Sequence, residues 1–278
     1  MRHSTTFLMS LIVASILVLM FLNLVLGSVS IPLKSVWNII CGLGDEPVTW
    51  QNIVWKSRLP QALTALVAGA GLAISGLQMQ TVFRNPLAGP SVLGISSGAS
   101  MGVAFVVLLS GSLGGVALSK LGFMGEIALS IAAVIGSLSV MALIVYVSQK
   151  VKGNVTLLII GVMIGYVANA VIGVLKFFSV EEDIRAYVIW GLGSFSRVSG
   201  NQMMLFVAIM AILIPLSFLL IKTLNLMLLG DGYARNLGLN IKRARLLVIT
   251  SAGVLTAIAG QFGDCPNRCS GSGLRSIP

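Results

Sequence analysis

The chain has 278 residues, of which 56% are hydrophobic and only 9% carry a charge. A soluble domain has about 25% charged residues, so this chain is too apolar to cover a water-facing surface. The composition predicts an all-α fold, a polytopic transmembrane helical bundle. The net charge of +10 comes from basic residues between apolar stretches, which is typical of loops facing anionic lipid. We expect no nucleic-acid partner, because no basic face with interleaved aromatic side chains is present.

Residues that carry catalytic or metal chemistry are scarce. The only histidine is His3, and the three cysteines are Cys41, Cys265 and Cys269. These residues cannot supply four zinc ligands or a disulfide framework. No G-x-x-x-x-G-K-[ST] loop occurs in the chain, so it lacks a P-loop for ATP. We therefore expect no catalytic residue, no metal and no cofactor, and a protein that is not an enzyme.

Seven apolar stretches are long enough to cross a membrane, which takes about 20 residues. In chain order they are 7–27, 60–82, 91–110, 122–148, 155–178, 202–222 and 245–260. The first follows a basic start, as a signal peptide would. Its apolar run is too long for a signal peptide and no clear cleavage site follows it, so we interpret it as a retained first helix.

Lysine and arginine in the loops predict the orientation. Compact basic clusters at 150–152 and 242–245 abut the ends of predicted helices. The positive-inside rule places both clusters, and with them the N-terminus, in the cytoplasm. Tryptophan prefers the membrane–water interface, and all four tryptophans fall in predicted outer loops: Trp37, Trp50, Trp55 and Trp190.

The second predicted span carries two patterns. Small residues recur at helical spacing and predict close packing of another helix on that face; they are Ala65, Gly69, Ala73 and Gly76. Polar side chains follow at Ser75, Gln78 and Gln80. Two interpretations of these polar groups stay open, since they could form hydrogen bonds between helices or border a solvent-filled path.

The stretch QTVFRNPLAGPSVLGISSGAS, residues 80–100, interrupts the apolar pattern. Pro86 and Pro90 each lack an amide donor, so a continuous helix cannot pass, and Asn85 is pushed toward extended geometry by the proline that follows it. Non-helical backbone at membrane depth is tolerated only inside protein or beside a water-filled cavity. We predict a tight re-entry at the cytoplasmic side, with Arg84 near the headgroups or against a neighbouring helix end.

The region around this stretch resembles the permease subunits of binding-protein-dependent ABC importers for iron-siderophores, haem and vitamin B12. It begins with Arg58 and Pro60, continues with S-G-x-x-x-Q at 75–80 and R-N-P-L-A-x-P-x-x-L-G at 84–94, and closes with a G-A pair at 98–99. LLGDGYARNLGLNIKRARLL at 228–247 resembles the family's cytoplasmic segment, and WGLGSFS at 190–196 resembles its outer loop. The resemblance covers about residues 5–260.

The resemblance implies a bundle of about ten membrane helices, of which about seven are present here. It also implies a multi-pass permease in the bacterial cytoplasmic membrane, driven by a separate ATP-binding cassette ATPase subunit. The other implied partners are a substrate-binding protein, either periplasmic or a lipoprotein, and a second permease copy that forms a homodimer. The lipid bilayer surrounds the assembly. The sequence does not name the cargo.

The resemblance assigns roles to particular residues. Arg58 matches an outer arginine that receives glutamates of the binding protein, and such rim charges mainly speed and orient docking. Gln61 replaces the family's second arginine, which weakens this assignment, and a lipid-anchoring role for Arg58 stays open. The translocation path and cytoplasmic re-entry are assigned to Gln78, Gln80, Arg84, Asn85 and Pro86.

The segment from 225 to 240 is polar enough to leave the membrane, and we expect it to form short helices that rest on the ATPase. Within it, Ala234 with Leu237 and Gly238 is expected to present a small apolar knob. The resemblance assigns the ATPase coupling to Asp231, Ala234, Arg235, Leu237 and Gly238.

Agreement with the family pattern stops at Gly260. Residues 261–278 are polar and rich in glycine and serine, so we expect a permease domain at 1–260, C-terminally incomplete, and a tail produced by a frameshift or premature stop. A natural short terminus is the alternative. The function then has two alternatives, a non-functional fragment of such a permease or an ion-coupled carrier. A carrier needs ionisable groups near the midplane, and none of the eight acids falls at the centre of a predicted span.

Overall fold

The computed structural model describes residues 2–27, 29–43, 46–112, 123–151, 153–192 and 200–263. These ranges consist of helices and turns without a β-strand, which confirms the all-α prediction. The helices are α1 Arg2–Val25, α2 Leu33–Cys41, α3 Val48–Ile53, α4 Leu59–Phe83, α5 Ile95–Ser112, α6 Phe123–Lys150, α7 Asn154–Phe177, α8 Glu181–Gly191, α9 Gly200–Phe218, α10 Ile221–Leu228, α11 Asp231–Asn236 and α12 Ile241–Gly263. A π-helical turn, Val54–Arg58, joins α3 to α4, and a 3₁₀ turn, Pro90–Leu93, precedes α5. The predicted tail lies outside the described residues from 264 onward.

Each predicted span overlaps at least one helix, but not every helix is long enough to cross a bilayer. Among the described residues, five segments are long and apolar enough: Thr6–Val25, Val48–Phe83, Ala128–Lys150, Val155–Phe177 and Ile241–Gly260. A sixth arises if Met203–Phe218 and Ile221–Leu228, which are bent by 45°, form one span. The predicted span 91–110 is wrong at its start, because the 3₁₀ turn occupies its first residues and leaves only Ile95–Leu109 as apolar helix.

Helix α4 lies at the centre of the bundle and packs most extensively against α12. A core cluster includes Met79 of α4 and Val248 of α12, both fully buried. The Ser75 hydroxyl donates to the carbonyl of Ala252 at 2.9 Å and lies 2.7 Å from the Thr256 hydroxyl. For Ser75, the interpretation as a hydrogen bond between helices is therefore confirmed. Such bonds fix the register of two helices where lipid offers no partner.

The small residues of α4 do not pack as predicted. Gly69 and Ala73 are exposed, and a side chain added at Gly69 would meet nothing within 4 Å. The close approach occurs instead at Gly71, where an added Cβ would lie 2.1 Å from the Met210 Cε of α9. Small residues occur on several sides of α4, so their spacing could not reveal which side faces α9 and α12.

Helices α5 and α6 form the closest backbone contact described. A Cβ at Gly136 would lie 2.2 Å from the Gly98 carbonyl oxygen, and one at Gly102 would lie 2.2 Å from the Ala132 carbonyl oxygen. Only glycine allows the two backbones to come this near. Because residues near the start of α5 contact the second half of α6, the two helices run antiparallel.

This antiparallel packing shows which helix ends lie at each of the two ends of the bundle. The end of α6 at Lys150 lies at the same end as the start of α5, and so does the end of α4. Helix α12 is antiparallel to α4 and therefore begins there too, with Lys242 and Arg243. Helix α8 lies at the opposite end, where the Ser179 hydroxyl donates to the Leu108 carbonyl at 3.2 Å. The basic clusters thus share one end, as the predicted orientation requires.

The α5–α6 contact predicts a difference between two glycines. We expect Gly136→Ala to lower the melting temperature of the detergent-purified protein by several degrees, because overpacking against backbone costs about 1–3 kcal/mol. That penalty outweighs the gain of up to about 1 kcal/mol from replacing a helical glycine by alanine. Gly173→Ala on α7 is the matched control, since its Cβ would meet nothing within 4 Å. Equal melting temperatures for the two variants would contradict the packing described.

Candidate functional site

Helix α4 ends in a turn that is closed by its own backbone. The amide of Asn85 donates to the Gln80 carbonyl at 3.2 Å and that of Arg84 donates to the Thr81 carbonyl at 3.3 Å, which is the Schellman pattern of a helix C-terminus. Arg84 has φ 49 and is the only described residue other than glycine with a positive φ. The left-handed conformation ends the helix before Pro86.

Side chains complete this turn. The Asn85 Oδ1 accepts the amide of Leu87 at 2.9 Å, and the Gln80 Nε2 donates to the Pro86 carbonyl at 3.1 Å. Four of the five residues assigned to the re-entry, Gln80, Arg84, Asn85 and Pro86, therefore lie together. The fifth, Gln78, does not join them. It is only 1% exposed, and its amide has no hydrogen-bond partner among the described residues.

After the turn, the chain runs back into the bundle against α7. Gly94 has φ 71, and a Cβ there would lie 3.0 Å from the Gly161 carbonyl oxygen and 3.1 Å from the Gly165 nitrogen. These two α7 residues lie roughly 10–17 Å along the helix from its start, at 1.5 Å per residue. They belong to the apolar span Val155–Phe177. The segment 84–94, which we call the break, therefore contacts α7 within its apolar span.

A groove of about 180 Å³ opens where the break meets α7. Its lining combines small residues, which expose backbone, with hydroxyl and amide groups and no charged side chain; it consists of Ser91, Gly94, Ser97, Gly161, Val162, Gly165, Tyr166 and Asn169. Irregular backbone inside a membrane protein is found where it lines a cavity. The groove therefore offers uncharged hydrogen-bonding groups beside irregular backbone.

Arg84 joins the break to the segment after α9. Its guanidinium donates to the Met227 carbonyl at 3.2 Å and forms an ion pair with the Asp231 carboxylate. Met227 lies in the last turn of α10, where carbonyl groups favour a cation. Of the two positions predicted for Arg84, the one against a neighbouring helix end is confirmed.

The predicted coupling segment is built from the end of α10 and from α11. Ala234 is fully buried, so the expectation of an exposed knob at Ala234 is wrong. In α11 and the residue that follows it, the exposed apolar side chains are those of Tyr233, 73% exposed, and Leu237, 62% exposed, which lie four residues apart and so on the same side. Arg235 is also exposed, and Gly238 ends the helix with φ 84.

Arg58 occupies a different environment from the one its predicted role requires. Its side chain is 5% exposed, and Nη1 donates to the Leu24 and Val25 carbonyls at 2.7 and 2.8 Å. Nη2 donates to the Val29 carbonyl. The guanidinium thus satisfies the carbonyl groups at the C-terminus of α1. A binding-protein glutamate would need an exposed guanidinium, so that part of the expectation is wrong, and lipid anchoring does not fit a buried side chain either.

The comparison with protein families decides the classification. The FecCD transport family matches residues 15–262. The chain belongs to this family. It is 34% identical over 244 residues to the hemin transport system permease protein HmuU of Yersinia pestis, covering 86% of this chain and 69% of that protein. It is 36% identical over 218 residues to the vitamin B12 import system permease protein BtuC of Serratia proteamaculans, covering 77% of this chain and 62% of that protein.

A solved structure agrees with this assignment. A metal-chelate type ABC transporter in an inward-facing conformation matches with a TM-score of 0.72 and 26% identity, covering 89% of this chain and 72% of that one. This FecCD member is therefore an all-α, multi-pass membrane protein. It spans less than 70% of the length of the two permeases named above.

The burial of Arg58 predicts that its side chain stabilises the protein and that the neighbouring exposed Lys56 does not. We expect Arg58→Leu to lower the melting temperature of the purified protein, because hydrogen bonds to charged groups contribute about 1.5–3 kcal/mol. Lys56→Leu is the matched control, since Lys56 is exposed in the same π-helical turn. If Arg58→Leu instead has the same melting temperature as the parent, the guanidinium does not hold the end of α1.

Proposed function

We propose that the chain is the transmembrane permease subunit of an ABC importer that moves a metal chelate across the bacterial cytoplasmic membrane. The cargo class is an iron-siderophore, haem or cobalamin. One observation carries the proposal: a helix break at membrane depth lines a polar groove and is tied by Arg84 to short helices at one end of the bundle. Membership of the FecCD transport family supports it.

The chemistry of the groove fits transport better than storage. Its hydroxyl and amide groups carry no charge, so they can contact a solute without holding it tightly. Its volume of about 180 Å³ is below the roughly 300–1,000 Å³ of pockets that enclose a small molecule. A bulky chelate therefore needs a wider path, and we propose that a second copy of the chain completes it.

The exposed face of α7 supports this arrangement. The groove residues Tyr166 and Asn169 are exposed, and so are Ile159, Met163 and Val167 along the same helix. A face that mixes aliphatic and polar groups suits neither pure lipid nor pure water. We propose that it meets the second permease copy across the path.

The ATPase is proposed to rest on α11. The basic clusters lie at the same end of the bundle as α11. By the positive-inside rule we propose that this end, together with the N-terminus, faces the cytoplasm. Tyr233 and Leu237 offer an exposed apolar pair on a short helix outside the apolar spans. Aromatic and aliphatic anchors of this kind fill pockets on protein partners. The substrate-binding protein, periplasmic or lipid-anchored, would dock at the opposite end.

The experiment compares two equally exposed leucines. Leu237→Arg places a charge at the proposed ATPase contact, whereas Leu43→Arg, also at 62% exposure, places one at the opposite end. We expect Leu237→Arg to reduce the ATPase activity that co-purifies with the tagged chain roughly tenfold, about 1.4 kcal/mol of contact energy. Leu43→Arg should leave that activity unchanged.

Uptake is measured in the source strain after deletion of this gene and complementation with each variant. Labelled hemin, cobalamin and a ferric siderophore serve as separate probes. We expect the parent chain to restore uptake of one of them and Leu237→Arg to restore little. A parent that restores none, or a Leu237→Arg variant that retains both ATPase and uptake, would contradict the proposed function.

A further inference from the structure

Three charged residues from distant parts of the chain meet at one end of the bundle. Arg84 begins the break, Asp231 is the first residue of α11, and Arg245 lies in the second turn of α12. Arg84 and Asp231 form an ion pair across 147 positions of sequence. Arg245 interacts electrostatically with both, favourably with Asp231 and unfavourably with Arg84.

The backbone conformation of Arg84 is set by the turn that ends α4 and begins the break. Its left-handed conformation, φ 49, is disfavoured for any residue with a side chain, and glycine would adopt it freely. An arginine at this position is therefore explained by its guanidinium, which bonds to both α10 and α11. Such locally unfavourable conformations are concentrated at functional positions.

Arg245 is a buried cation close to the charges of Arg84 and Asp231. Arg245 is only 8% exposed, and its Nε has no hydrogen-bond partner among the described residues. A buried guanidinium is favoured by a nearby opposite charge, and Asp231 contributes one, although its ion pair is with Arg84. A shift of α11 would change the distance from this carboxylate to Arg84.

The ion pair contributes little as a simple stabiliser. The side chains of Arg84 and Asp231 are 41% and 45% exposed, and exposed pairs add little to folding stability. Its importance is geometric, because Arg84 is followed directly by the non-helical segment that packs on α7 at Gly94. The pair is the direct ionic contact that the described residues make between that segment and α11.

We propose that Arg84 is a positioning residue that passes movement of α11 to the break through Asp231, and so links ATP hydrolysis to the opening of the groove. This inference rests on the proposed function, in which α11 contacts the ATPase. Both ends of the link are held by secondary structure: the turn that ends α4 holds the backbone of Arg84, and α11 holds that of Asp231.

The test is a double-mutant cycle with Arg84→Gln, Asp231→Asn and both together. Each variant is expressed in the deletion strain and purified with its ATPase. We expect each single change to lower uptake of the probe that the parent transports by roughly tenfold or more, as for a coupling between sites. The co-purifying ATPase, its hydrolysis rate and the melting temperature should stay near those of the parent.

Two further observations distinguish an ion pair that transmits movement from one with a purely structural role. Uptake by the double variant should be no lower than uptake by the single variant that transports less, because both changes break the same contact. Arg84→Lys, which keeps the charge, should recover part of the uptake that Arg84→Gln loses. Lys222→Gln, an exposed cation on α10, is the control and should transport like the parent.

Unchanged uptake in both single variants would overturn the link. It would also be overturned if uptake fell only in proportion to co-purifying ATPase or to the melting temperature, since the pair would then be structural. Failure of the proposed function has a different signature. In that case the parent itself would bring down no ATPase and take up none of the three probes.

Discussion

The backbone between α4 and α5 cannot form a continuous α-helix, and inside a membrane its polar groups must find partners within the protein. Pro86 and Pro90 impose this constraint, and the rest of the site depends on how it is met. The left-handed turn at Arg84 bonds two of the free amides to the end of α4. Asn85 and Gln80 then bond to the backbone of the residues that follow. The turn is thereby satisfied locally and can lie beside a cavity.

The same constraint creates both parts of the site. The residues of the break do not continue α4 as a helix. As a result α5 begins at membrane depth, and Gly94 packs against α7. The groove opens at that contact. Because α4 ends where it does, Arg84 emerges at the end of the bundle where α10 and α11 lie, within reach of Met227 and Asp231. One irregular segment thus contacts the groove on one side and the surface helices on the other.

Features that depend on composition and on proline could be predicted from the sequence. The face that a helix turns toward its neighbours could not. The spans follow from apolar length, and the break follows from Pro86 and Pro90. Ala234 was assigned to the wrong face because the phase of a six-residue helix cannot be set without its neighbours. Gly69 was mistaken for a contact of α4 for the same reason, whereas Gly71 makes the contact.

Long-range contacts were the other limit. Nothing near Arg58 in the chain indicates that the end of α1 would fold over it, and nothing near Arg84 indicates Asp231 as its partner. Helix α8 was also missed, although the three acidic residues in its first turn, Glu181, Glu182 and Asp183, are a helix-start signal. The groove required three separate elements to come together, and its lining contains none of the five residues assigned from the sequence to the path and re-entry, Gln78, Gln80, Arg84, Asn85 and Pro86.

The central claim is that the break and the start of α5 lie against α7 at membrane depth. A cysteine pair at Ser97 and Gly165 tests it most directly, in a chain whose three native cysteines are replaced. A Cβ at Gly165 would lie 3.4 Å from the Ser97 hydroxyl oxygen, so cysteines at these two positions would have their side chains in direct contact, as disulfide formation requires. Mild oxidation in native membranes should consume both thiols of S97C/G165C and leave both thiols of S97C/G173C free. Two reactive thiols in both proteins after oxidation would contradict the account.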